Sequence, residues 1–223
     1  MIFLHMGCSS KYTDTDEEMM GYAYFPLEPG NYRIFEVVDI RYTIQNQKDT
    51  SIYYIKQTVM DSSVDQAGEI AWYIYVYKSE NPSPSWEEET IRVQQVKKSR
   101  TNLVLYEDNV PFVKLTFPVK SGLTWDGNVF NTSDPQFYYY ADQDLPEGLP
   151  ELEAGQLIRV VQNEYDDQIL QKDIRYEIYA EHIGLVYKEI RSLEYCREPS
   201  CLGEEEVITG RELFQSMIEY GNE

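Results

Sequence analysis

From Tyr22 onward apolar and polar residues alternate with a period of two, the pattern of strands that bury one face. Tyr32-Ile34-Glu36-Val38 and its complement Arg33-Phe35-Val37-Asp39 open the series, which runs to about Ile44. Ile52 to Met60 follows a turn-prone Gln47-Lys48-Asp49-Thr50, and Ile70 to Lys78 is the clearest strand in the chain. Two prolines, Pro82 and Pro84, interrupt the pattern, since neither can donate to a ladder. Strands are expected again over Glu89 to Lys97, Leu103 to Tyr106 and Phe112 to Phe117, the last two flanking a hairpin turn at Glu107-Asp108-Asn109. Phe137 to Tyr140, Leu157 to Glu164, Ile169 to Tyr179 and Leu185 to Tyr195 continue the series. In Gly210 to Gly221, Leu213, Met217 and Ile218 would suit a helix, but the neighbouring pattern favours one more strand.

About ten strands at short, even spacing, with almost no helical periodicity, define an all-β chain. The spacing predicts antiparallel strands in a half-open barrel or a sandwich. No internal repeat and no second domain interrupts residues 21–223.

Composition narrows the function classes. The 223 residues include 39 acidic and 19 basic side chains, a formal net charge of -20. Such a balance excludes a nucleic-acid partner, because phosphate contacts need clustered Lys and Arg. No run reaches the roughly 20 apolar residues of a membrane helix. Tyrosine supplies 20 residues, and it is a type enriched in strands.

Residues 1–8, Met1-Ile2-Phe3-Leu4-His5-Met6-Gly7-Cys8, are apolar and end in Gly-Cys before Ser9 and Ser10. The stretch has no basic residue and is too short for a complete secretory leader. Its end nevertheless resembles the tail of a bacterial lipoprotein signal, in which a small residue precedes the Cys that is acylated; His5 stands where that box usually has Leu. The resemblance implies lipidation at Cys8, an upstream start, and a membrane partner reached through the lipid anchor. Residues 9–20, with Asp14, Asp16, Glu17 and Glu18, read as a flexible acidic tether. Cys196 and Cys201 remain, and in an oxidising compartment so close a pair is most simply a disulfide, worth roughly 2 kcal/mol in the chain-entropy model. A metal site would need more Cys or His ligands, and His182 is the only His outside the leader.

Three segments resemble those of secreted Bacteroidetes proteins. They are Tyr24-Phe25-Pro26-Leu27-Glu28-Pro29-Gly30, the block Leu115-Thr116-Phe117-Pro118-Val119-Lys120-Ser121-Gly122 with Trp125, and Tyr179-Ala180 through Ile183-Gly184-Leu185-Val186-Tyr187-Lys188-Glu189. Val119 departs from the Leu usual at its position. The group consists largely of lipoproteins of unknown function, some similar to the curved sheet of periplasmic lipoprotein carriers. The resemblance implies a cell-envelope, outer-membrane location and this fold, and it implies no activity.

Chemistry is sparse. Catalysis by a Ser-His-Asp or Cys-His group would have to use His182, which falls in an expected turn, and no Gly-x-Ser-x-Gly segment is present. No cofactor motif is found, and no metal is expected. Asp142-Gln143-Asp144 and Asp166-Asp167 offer hard oxygen ligands without the spacing of a known Ca²⁺ loop. Carboxylates are abundant enough for a two-carboxylate glycoside hydrolase, the least favoured class. Aromatic residues are the remaining feature. Tyr73, Tyr75 and Tyr77 share one face of their strand, with Trp72, Ile74 and Val76 on the other; Tyr138 and Tyr140 cluster with Tyr139, and Trp125 reads as core or barrel plug. Trp72, Tyr73, Tyr75, Tyr77, Trp125, Tyr138 and Tyr140 are therefore the candidate ligand- or partner-binding residues. The expected function is a non-enzymatic binding module for an apolar ligand or an envelope protein, and the alternative is a structural or assembly lipoprotein.

Overall fold

The computed structural model describes residues 17–43, 47–81, 85–86, 90–142 and 155–223. Lipidation at Cys8, most of the 9–20 tether, and Gln143 and Asp144 lie outside the described residues. After one helical turn, α1 (Glu17–Met20), the chain forms β1 (Asn31–Tyr42), β2 (Lys48–Val64), β3 (Ile70–Ser79), β4 (Thr90–Lys98), β5 (Asn102–Glu107) and β6 (Val110–Thr116). A second series follows: β7 (Thr124–Asp126), β8 (Phe137–Asp142), β9 (Leu157–Asp166), β10 (Gln171–Ala180), β11 (Gly184–Tyr195) and β12 (Val207–Asn222).

All twelve belong to one antiparallel sheet in the order β6-β5-β4-β3-β2-β1-β12-β11-β10-β9-β8-β7. The chain thus makes two six-stranded meanders joined side by side through β1 and β12, and the ends of the sheet curl towards each other into a nearly closed barrel. A single sheet excludes the sandwich alternative. The count exceeds the expected ten partly because β7 has only three residues and sits in the turn-rich stretch between Pro118 and Asn131, too short to show alternation. The last segment is a strand, as its neighbours' pattern favours.

Bulges supply curvature, because an extra residue in one strand bends it and increases its twist. Register shifts occur in β1/β12 at Ile34/Phe35, in β2/β3 at Val59/Asp61, and in β10 against both neighbours. The seam between β6 and β7 is closed by a mixture of groups. Val113 donates its N–H to Gly127 O at 2.9 Å, and the Trp125 indole donates to Val113 O at 2.8 Å. The Tyr140 hydroxyl donates to Thr116 O at 2.7 Å and accepts from Thr116 N at 2.8 Å, doing the work of a missing strand residue.

One end of the barrel is plugged by the segment that precedes β1. Gly21 adopts a left-handed conformation (φ 73°), turning the chain into a single 3-10 turn over Tyr22–Tyr24. Tyr24, Phe25 and Leu27 then enter the barrel and are buried against Val59, Ile74, Val96, Leu103, Leu115, Phe117 and Tyr179. Each such burial is worth about 1.5–3 kcal/mol. Lys98 Nζ donates to Tyr22 O (2.7 Å) and Phe25 O (3.0 Å), and His182 N donates to Ala23 O (2.8 Å), so β4 of one meander and the β10–β11 turn of the other hold the plug.

Candidate functional site

Residues paired across neighbouring strands share a face, so the register assigns the lining of the barrel rung by rung. Nearest the plug the lining is apolar, with Ile158 opposite Tyr179 and Phe35 between Met217 and Ile55. One rung further out it becomes mixed: Val160, Glu177, Lys188, Gln215, Val37 and Tyr53 lie side by side. The next rung reads Asn163, Arg175, Ile190, Leu213, Asp39 and Ser51. The outermost reads Tyr165, Asp173, Ser192, Arg211, Arg41 and Asp49. The apolar core therefore ends in a polar floor beneath a charged, open end.

Four ionised side chains make that floor. Lys114 Nζ reaches Glu177 Oε1 at 2.9 Å and Glu107 Oε1 at 3.1 Å, and Lys188 Nζ lies 3.4 Å from Glu177 Oε1. The Tyr179 hydroxyl donates to the other Glu177 oxygen at 2.7 Å. The group ties β5 and β6 of one meander to β10 and β11 of the other across the interior. Lys114 and Glu177 are both buried. Burial opposes the charge on Glu177, but Lys114, Lys188 and the Tyr179 hydroxyl outweigh it and hold the carboxyl down at about 2. Glu107 is lowered by Lys114 against its own desolvation. Burial alone would lower Lys114, and Glu177 and Glu107 together raise it instead.

A cavity of about 70 Å³ opens above these groups, lined also by Phe25, Gln57, Arg92, Gln94 and Gln215. On the same inner face, one to two rungs further out, Asn163, Tyr165, Asp173 and Ser192 line a groove of about 310 Å³. Beside it Arg211 grips Asp39 with two hydrogen bonds, at 2.7 and 3.0 Å. Burial opposes ionisation of Asp39, but Arg211 and Arg41 lower it below the usual carboxylate range.

The structure distributes the candidate aromatic residues over three places. Trp72, together with Ile74 and Val76, packs inward against the core around the plug. Tyr138 and Tyr140 are buried in the same core, and Trp125 meets Tyr138 edge-on and Tyr140 at a tilt, with ring centroids 5.9 and 4.5 Å apart. These three close the seam. Tyr73, Tyr75 and Tyr77 lie half-buried on the outer face, where Tyr75 stands between Thr58 and the exposed Val93, and the Tyr73 hydroxyl meets Ser63 Oγ at 2.9 Å. None of the seven lines the polar cavity.

Cys196 and Cys201 form a disulfide with Cα atoms 5.9 Å apart, in the loop between β11 and β12 at the open end. Asp167 Oδ1 accepts three backbone N–H groups, from Ile169, Leu170 and Gln171, so it shapes the β9–β10 turn.

Sequence reasoning overlooked Lys114, Glu177, Lys188, Gln94 and Gln215. For four of them a signal existed: Glu177 stands in phase with Tyr179, Lys188 with Ile190, Gln94 with Val96, and Gln215 with Leu213 and Met217, whereas Lys114 sits at the β5/β6 register shift between the buried Val113 and Leu115. A polar residue on the buried parity of a strand marks a place where the core stops being apolar.

No protein-family model and no curated relative matches the sequence. Two solved structures are similar to it. A "putative exported protein with YmcC-like fold" from Bacteroides fragilis is 13% identical, with 89% of this chain and 98% of that chain covered at a TM-score of 0.40. A "putative lipoprotein" from Parabacteroides distasonis is 9% identical, with 89% and 98% covered at a TM-score of 0.42. Both are Bacteroidetes proteins of the kind that the opening, central and closing segments of this sequence resemble.

Proposed function

We propose that the protein is a lipid-anchored, non-enzymatic binding module of the bacterial cell envelope, facing a polar ligand or partner with the open end of its barrel. The observation that carries this reading is the polar floor. An apolar cargo entering there would strip water from the partly exposed Glu107 and Lys188 and return no hydrogen bond, a cost that apolar contact does not offset. The apolar-ligand half of the sequence expectation therefore gives way to a polar partner. The lipid anchor rests on the Gly7-Cys8 resemblance, and the outer membrane is the address that the resemblance to Bacteroidetes lipoproteins implies.

The convergent carboxylates, Glu107 and Glu177, support a non-enzymatic role. A glycoside hydrolase needs one carboxyl kept protonated near neutral pH. Here both are held ionised by lysines.

The test is site-specific photo-crosslinking of the full chain in its own envelope. A photoreactive residue at Tyr165 or Ser192, on the inner face of the open end, is expected to give a discrete adduct, and one at the exposed Phe137 or Val129 is not. Adducts of equal yield at all four positions would refute the open end as the binding site. Cys8→Ser is expected to move the protein from the membrane fraction to the soluble fraction; retention in the membrane would refute the anchor. The half-buried outer stripe of Tyr73, Tyr75 and Tyr77 favours a second reading, an assembly lipoprotein that docks through its wall, for which the adduct would form at Tyr75 instead.

A further inference from the structure

The groups around the cavity divide into those already engaged and those still free to bond. Glu107, Lys114, Glu177, Lys188 and Tyr179 satisfy one another. Gln94 and Gln215 do not: each is more than nine-tenths buried, at 5% and 8% exposure, and lines the cavity. Neither carboxamide makes a side-chain hydrogen bond to any described residue. The carboxamide atoms of both retain solvent contact, so they are open to a ligand that enters the cavity. Gln57 adds a third carboxamide to the lining, and Arg92 a guanidinium that makes no ion pair with a described residue.

Charge gives the cavity a direction. Lys114, Lys188 and Arg92 outnumber Glu107 and Glu177, so this spot carries a surplus of positive charge within a chain whose formal net charge is -20. Carboxamides offer donors and acceptors together, which suits an amide or a hydroxyl; the surplus cation suits an anion. The cavity admits only a few heavy atoms, and a separate groove bordered by Asn163, Gln171 and Ser192 lies further out towards the open end.

We infer that the cavity receives the terminal carboxylate of a polypeptide, with Arg92 and the Gln94 and Gln215 amides binding the carboxylate and last peptide unit and the preceding residues leading outward to the groove at Ser192. This inference rests on the open end being the binding end and names the chemistry that enters it.

The test is calorimetric titration of the full chain with acetyl-trialanine bearing a free C-terminus, with its C-terminal amide, and with acetate. The free acid is expected to bind, and the amide to bind about tenfold more weakly, the loss of one charge-assisted hydrogen bond. Arg92→Ala and Gln94→Leu are each expected to weaken the free acid by a similar factor while the thermal midpoint of the unliganded protein changes little. Equal affinity for acid and amide, no heat from either, or an unchanged affinity in Gln94→Leu would overturn the inference. Acetate binding as tightly as the free-acid peptide would overturn it in favour of a free small carboxylic acid. If the peptide fails while crosslinks at Ser192 persist, the ligand class is wrong and the binding end stands; if both fail, both fall.

Discussion

Glu177 is 2% exposed, yet it stays charged, because two lysines and a tyrosine hydroxyl all meet its oxygens. Removing one side of such a group is more damaging than removing the group, since the survivor is left buried without compensation. Glu177→Leu is expected to destabilise the protein by about 3 kcal/mol, and Lys114→Met by a similar amount. The double variant is expected to recover much of that loss, measured by chemical denaturation as a double-mutant cycle; strict additivity would show that the two do not interact. The sign of the pH dependence follows from the lowered Glu177. Its contribution is complete above the unfolded carboxyl value and is lost as pH falls through the folded value near 2. At this scale the sequence was least legible. Alternation shows that Glu177 occupies inward parity, but Lys114 is turned inward by the β5/β6 register shift, and only the folded barrel shows that residues 63 apart in sequence meet there.

The elements tell a different story. Eleven of the twelve strands were visible from alternation and turn residues, because period-two burial is a local property. The seam between β6 and β7 was not, because it is held by side chains standing in for a ladder. Tyr140 is the test of that arrangement. Tyr140→Phe keeps the ring and deletes both hydrogen bonds to Thr116, and is expected to cost about 1–3 kcal/mol. Amide exchange at Thr116 should quicken more than at Val59 in the middle of the sheet; equal effects would show that the seam is not where the hydroxyl acts. The β11–β12 loop makes a second prediction, since its six-residue ring closed by Cys196 and Cys201 is worth about 2 kcal/mol. Cys196→Ser with Cys201→Ser should lower stability by that amount and leave the Lys114 floor intact, read as an unchanged acid transition.

For the whole molecule the abundance of tyrosine becomes a property that can be titrated. Burial raises Tyr24 to about 12, and burial followed by the Glu189 hydrogen bond raises Tyr176 to about 12. Tyr140, Tyr179 and Tyr187 are also raised, mainly by burial. A raised value means stability that is present below the unfolded tyrosine value near 10 and is lost as pH rises towards the folded one. Ultraviolet titration is therefore expected to show one group of tyrosines ionising near pH 10 and a second group only together with unfolding. A single smooth transition of all 20 would contradict the burial described for these five.

The pairing of β1 with β12 has a consequence for how the chain can be divided. Residues 31–116 and 124–222 each form a continuous six-stranded meander whose internal contacts are short in sequence. Among the described residues the distant pairings include the β1/β12 junction, the seam, the plug, the ion group across the interior, and the Arg33–Ile183 and Lys56–Glu223 contacts. A cut in the exposed turn at Lys120–Ser121 severs none of these. Two fragments produced separately should find each other along the β1/β12 junction and restore the barrel, with Lys114 from one piece reaching Glu177 on the other. The molecule would then behave as a heterodimer whose assembly depends on concentration, so its stability could be read as an affinity.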